Sequence, residues 1–120
     1  MSRRRSQQPL SPIEFQVLLA LADEDRHGYG IMQEVSRRSK GTVRLGPGAL
    51  YGAMKRLLEQ GFVEESHKRP KDDDTRRRCY YHLTRAGRAI ACQQAETLAK
   101  LIREAAEKRL ISLKALPAST

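Results

Sequence analysis

The sequence predicts a mainly α-helical fold with a single small β-hairpin, on three observations. Apolar residues recur at helical spacing through most of the chain, whereas only two runs, Phe62 to His67 and Arg78 to Leu83, read as a pair of strands. Aromatic residues make up 5% of the chain and Trp is absent, so the core has to be built from Leu, Ile, Ala and Val, the residues of packed helices. The 120 residues fit one domain with a modest core.

Met1 to Leu10 holds Arg3, Arg4 and Arg5 among Ser and Gln and reads as a flexible basic arm. Ser11-Pro12-Ile13-Glu14 then opens the first helix. Ser11 is placed as N-cap, Pro12 at the first position, where a missing N–H is no loss, and Glu14 completes a capping box. Ile13, Val17, Leu18, Leu21 and Ala22 follow at helical spacing, and Phe15 and Leu19 thicken the apolar side, so this helix has more than one flank to cover. His27-Gly28-Tyr29-Gly30 turns into a second helix in which Ile31, Met32 and Val35 pack and Gln33, Glu34, Arg37 and Arg38 face outward. It ends near Lys40-Gly41, and Thr42 to Leu45 reads as a brief strand.

The stretch from Gly46 to Gly61 has two unlike faces. Leu50, Met54, Leu57 and Leu58 form a stripe to bury, and Gly48, Tyr51, Gly52, Lys55 and Arg56 lie on the opposite side. Pro47 suits its first position and Gly61 the left-handed residue just past its end. Two glycines on an outer helical face each cost about 1 kcal/mol relative to Ala. Close approach to a large partner would explain them.

After this helix come the two strands, joined by the charged loop from Lys68 to Arg77. Helix, helix, short strand, helix, strand, charged loop, strand is the order of a winged helix-turn-helix domain. Thr84-Arg85-Ala86-Gly87 starts a last helix running to about Leu113, in which Ala91, Ala95, Leu98, Ile102 and Ala105 repeat with a coiled-coil rhythm. Such a seam needs a partner, and a second copy of the chain is the simplest one. The expected organisation is therefore an arm over 1–10, a winged helix-turn-helix over 11–83, a dimerisation helix over 84–113 and a disordered tail over 114–120.

The formal charge of +9 and a pI near 10.1 point to a polyanionic partner, nucleic acid before an acidic membrane surface. No apolar run approaches a membrane span, and no apolar signal region follows the N-terminal arginines, so a cytoplasmic protein that does not insert in a membrane is expected. Cys79 and Cys92 form no disulfide framework and are expected as thiols. An enzyme is not expected. His27, His67 and His82 have no metal-type partner at short spacing, since Cys79 and His82 fall on opposite faces of a strand. No nucleophile elbow or phosphate loop occurs, and Gly28-Tyr-Gly30 and Gly46-Pro-Gly48 lack the third glycine of a dinucleotide loop. Neither a metal nor a cofactor is implied. The rival reading is a winged-helix module whose basic face binds a protein partner or an anionic membrane, with Leu98 to Leu116 as amphipathic anchor.

Three segments, His27-Gly28-Tyr29-Gly30-Ile31, Pro47-Gly48-Ala49-Leu50-Tyr51 continuing through Lys55-Arg56-Leu57 to Gly61-Phe62-Val63, and Tyr80 to Gly87, occur in this order at these separations. In them the chain resembles the PadR family of bacterial winged-helix transcription regulators, from Ser11 to about Leu113, in its shorter class with one C-terminal helix. The resemblance implies a homodimer formed by the last helix with help from the first, adding Ile13 and Val17 to the interface. It implies an inverted-repeat operator on double-stranded DNA, repression, and for many members release by a small-molecule effector near the dimer interface. Ala49 stands where the family often has Thr, and Gly46 where it often has a Ser-like cap. With no Trp the chain lacks the aromatic sandwich some members use for planar drugs.

In this reading the central helix enters the major groove. Tyr51 offers a hydroxyl, Gly48 and Gly52 allow close approach, Lys55 adds charge, and Arg56 is the candidate to read guanine. Lys68, Arg69, Lys71, Arg76 and Arg77 on the hairpin grip flanking phosphates, with the acidic tip Asp72-Asp73-Asp74 turned away.

Overall fold

The structure, a computed structural model, describes residues 9–66 and 79–115. In chain order it holds α1 (Pro12–Leu21), β1 (Arg26–His27), α2 (Gly28–Arg38), α3 (Pro47–Glu59), β2 (Val63–Ser66), β3 (Tyr80–Leu83) and α4 (Arg85–Glu107), followed by a 3-10 turn at Leu113–Ala115. The strands form one antiparallel sheet in the order β1-β3-β2, with Val63 opposite Leu83 and Arg26 opposite Tyr81. This is the mainly α, winged-helix architecture that the sequence predicts.

Local chemistry sets most of the boundaries. Ser11 Oγ accepts from the Glu14 amide at 3.1 Å while the Ser11 amide donates to Glu14 Oε1 at 2.9 Å, so both halves of the capping box are made. α3 begins at Pro47 and closes on Gly61, whose φ of 77° lets the Phe62 amide reach back to the Leu57 carbonyl at 3.0 Å. Thr84 caps α4 by accepting from the Gly87 amide at 3.0 Å. The core lies where α1 meets α2, α3 and the sheet. Val17, Leu18, Ile31, Leu50, Met54 and Leu57 are its most deeply buried large side chains.

Several sequence expectations are corrected. Leu10, assigned to the arm, is buried in the core, and residues 1–8 lie outside the described residues. Thr42 to Leu45 is not a strand: Ser39 Oγ accepts from the Val43 amide at 3.0 Å, Thr42 Oγ1 donates to the Ser39 carbonyl at 2.7 Å, and Leu45 turns into the core. The third strand is instead β1, whose two residues are too few to show any periodicity. The other two strands begin later than expected, at Val63 and Tyr80. Phe62 still belongs to the end of α3, and His67 and Arg78 lie outside the described residues.

Glu34 does not face outward. It is 4% exposed and is met by Arg37 at 2.9 Å, by Arg26 at 3.6 Å and by Arg38. Desolvation pushes this carboxyl up, but hydrogen bonds from Arg37 and Arg38 and the charge of Arg26 hold it below the usual range. On α3, Ala53 is buried in the stripe and Leu58 lies at its exposed edge. α4 stops at Glu107 rather than near Leu113. There Arg109 takes φ of 65°, and the Leu110 amide bonds the Ala105 carbonyl at 2.8 Å, the same closure that Gly61 gives α3.

Candidate nucleic-acid interface

α3 is fixed from below by Leu50, Ala53, Met54 and Leu57, which leaves its other side to solvent. Gly48, Tyr51, Lys55 and Arg56 are exposed there and Gly52 is half-buried. Gly46, the N-cap of α3, has no side chain to bond the first-turn amides, so among the described residues the positive end of the α3 dipole has no side-chain cap, in keeping with the missing Ser-like residue.

The glycines of the chain divide by what surrounds them. A Cβ built on Gly87 would lie 2.0 Å from the Phe62 carbonyl oxygen, so that position has no room for any side chain. A Cβ built on Gly46 or Gly48 would meet no atom of the described residues within 4 Å beyond its chain neighbours and its own helix backbone, and one on Gly52 would have Arg56 Nη1 nearest at 3.8 Å. Neither Gly48 nor Gly52 has a positive φ. Packing among the described residues therefore does not require glycine at either position, although each lowers helix stability.

Tyr51 is 49% exposed, with its hydroxyl over Gly28 at the start of α2. It also stands near the buried Tyr81, whose phenol is pushed up by burial, with Cys79 and Tyr51 adding to the effect. Arg56, the expected guanine reader, is half exposed on this face and also holds a partner in α1. Its Nε donates to Glu14 Oε2 at 2.7 Å, tying the second half of α3 to the start of α1. Desolvation raises the Glu14 carboxyl, but the hydrogen bonds of Arg56 and Ser11 outweigh it and hold the group below its ordinary value. Lys68, Arg69, Lys71, Arg76 and Arg77 lie outside the described residues. Arg44, exposed two residues before the α3 cap, and Tyr29, exposed at the start of α2, were not singled out from sequence. A basic residue just ahead of a bare helix N-terminus is the signal that would have found Arg44.

The expected dimer residues fall into two groups. Val17 is 0% exposed and wholly committed to its own core, so it has no surface to offer a second chain. Ile13 is exposed on α1. On α4, Ala95 and Leu98 are exposed and Ala91, Ile102 and Ala105 half-buried, and Leu101, missed by the strict heptad, is 54% exposed. Beside the first half of α4 runs an apolar groove of about 180 Å³, whose floor and walls include Phe15, Leu19, Ala22, Leu83 and Ala91. Cys92 borders it, and both Cys79 and Cys92 are exposed free thiols. Among the described residues no group of acidic, His and Cys side chains is arranged to hold a metal ion, and no helix is long and apolar enough to cross a membrane.

Residues 17–92 match the Transcriptional regulator PadR-like family. The transcriptional regulator Rv3488 of Mycobacterium tuberculosis is 35% identical over 92 residues, which cover 77% of this chain and 80% of that protein. An uncharacterized 37.1 kDa protein in transposon TN4556 of Streptomyces fradiae is 41% identical over 85 residues, covering 71% of this chain but only 22% of the longer protein. In architecture the chain is similar to a PadR family transcription regulator from Clostridium difficile R20291, with a TM-score of 0.66 at 22% identity, over 84% of this chain and 100% of that one.

Proposed function

The chain belongs to the PadR-like family of transcriptional regulators, and from that premise we propose that it acts in the cytoplasm as a homodimer that binds an inverted-repeat operator and represses transcription. The observation that carries this reading is the outer face of α3, where Gly48 and Gly52 weaken the helix without serving any contact among the described residues. A duplex whose groove walls close on the helix supplies the missing reason, because a helix lacking those side chains seats deeper. Tyr51 and Lys55 then face the bases and phosphates, Arg44 joins them from the preceding turn, and Arg56 orients α3 through Glu14. The basic residues flanking the hairpin loop supply the sequence-independent part of the affinity.

The two halves of α4 support the dimer. Its first half borders an apolar groove against α1, and its second half carries Leu98, Leu101 and Ile102 beyond the reach of the core. A twofold pairing that sets the second half of each helix on the first half of the other covers both at once. In the proposed organisation residues 11–83 bind DNA and 84–113 pair the copies. A small molecule entering the groove shifts the spacing of the two α3 helices from the roughly 34 Å of a DNA turn, and so releases the operator.

Selection of bound sequences from random DNA tests the whole reading. A palindromic consensus is expected, with affinity that falls steeply with salt and survives competitor DNA. Equal affinity for every duplex offered would remove the operator from the proposal, and binding only to vesicles of anionic lipid would favour the rival membrane reading.

A further inference from the structure

Gly28 is buried at the first position of α2, and the atoms nearest to it belong to α3. A Cβ built there would lie 2.3 Å from the Tyr51 hydroxyl oxygen, 3.0 Å from Tyr51 Cζ and 3.4 Å from Leu50 Cδ2. The floor beneath the phenol is well fixed. His27 Nδ1 accepts from the Gly30 amide at 2.9 Å and so caps α2, and its ring meets Tyr80 edge-on at 5.1 Å and stacks with Tyr29 at 6.5 Å. α2 therefore does not move to make room, whereas Tyr51, half exposed at the end of a flexible side chain, does.

We propose that Gly28 is a positioning residue for Tyr51: by presenting bare backbone it lets the phenol lie across the first turn of α2, which fixes the direction of the hydroxyl on the α3 face. This rests on the reading above that Tyr51 touches DNA. Without the constraint, an exposed tyrosine samples several rotamers and loses entropy when it binds. With it, the hydroxyl is aimed before the duplex arrives. Gly87 is the contrast, because there the obstructing atom is a backbone oxygen that no side-chain rotation clears.

The test is a cycle of Gly28→Ala, Tyr51→Ala and the double variant, measured for affinity to a duplex selected by the wild-type protein and for thermal unfolding. Gly28→Ala is expected to weaken binding about tenfold while the unfolding temperature holds or rises, since alanine is the better helix former. In the Tyr51→Ala background the same change should cost no affinity. An equal loss in both backgrounds, or no loss from Gly28→Ala where Tyr51→Ala does weaken binding, overturns the proposal. Undiminished binding by Tyr51→Ala instead removes Tyr51 from the DNA contacts. Positioning is then decided without DNA, by proton resonances. Gly28 α-protons displaced upfield by the ring and restored in Tyr51→Ala sustain it, and undisplaced ones overturn it.

Discussion

α3 and α4 both carry an apolar stripe, and they differ in how much of it their own chain covers. In the 13 residues of α3, four stripe positions are buried against α1, α2 and the sheet. In the 23 residues of α4, about 34 Å of helix, only Gly87 is buried, and Leu98 and Leu101 stand in solvent. α3 is thus settled by folding, and what it leaves exposed is its lean polar side. α4 is settled at its root alone, and what it leaves exposed is apolar. A polar surface with glycines suits a hydrated polyanion, while an apolar stripe suits a second protein surface. The same chain therefore exposes two unlike faces, one lean and polar on α3 and one apolar on α4.

The contrast breaks most visibly at α4. Replacing Leu98 and Leu101 together by Glu is expected to give a folded monomer by light scattering at micromolar concentration. Its operator affinity should be lower by a hundredfold or more, about 3 kcal/mol, because each half-site is then bound alone. A stable dimer in that variant would move the interface elsewhere. Gly87→Ala strikes the root, where the Phe62 carbonyl has no side chain to yield. We expect a loss of about 3 kcal/mol in urea unfolding, spread over α4 and the sheet together.

At α3 the expected effects are smaller and have opposite signs. Gly52→Ala should raise stability by up to about 1 kcal/mol yet weaken operator binding about tenfold, separating a helix shaped for folding from one shaped for contact. A gain in both would remove the reason given for the glycines. Smallest is the Glu14 to Arg56 link, worth less than about 1 kcal/mol because Arg56 is half exposed. The Glu14 carboxyl is held below its unfolded value, so its contribution is present above the ordinary carboxylate range near 4.3 and disappears as pH falls through the folded value. Glu14→Gln should therefore be slightly less stable than wild type at pH 7, with the difference shrinking as pH falls through the folded Glu14 value, as read by urea midpoints.

Much of the fold was legible because its signals are local. The capping box of Ser11 and Glu14, Pro47 and Gly61 around α3, and Thr84 before α4 each act within a few residues of where they stand. What was not legible depends on distant groups or on residues acting against type. Glu34 is a charged residue on a helix, and its burial is made tolerable by Arg37 and Arg38 on its own helix together with Arg26, brought in from the preceding strand. Lys40 and Arg109 end α2 and α4 with φ of 55° and 65°, a conformation that costs a non-glycine residue about 1 kcal/mol. No glycine marks the stop of α4, so its end was overrun. The outer residues of α3 were legible as a face, but the pull of Glu14 on Arg56 comes from 42 positions away. Val17 fits a helical stripe equally well on the inside or the outside, and only the packed core decides.

The way α4 is attached has a mechanical consequence. Gly87 sits against the Phe62 carbonyl, the Thr84 amide donates to that same oxygen at 3.1 Å, and the Thr84 hydroxyl donates to the Gly61 carbonyl at 2.7 Å. A joint pinned at three points does not swivel. In the proposed dimer, rotation of the long arm would be transmitted as leverage to the last turn of α3, so a change of tilt between the two copies would turn both α3 helices as rigid pieces instead of being absorbed where they connect.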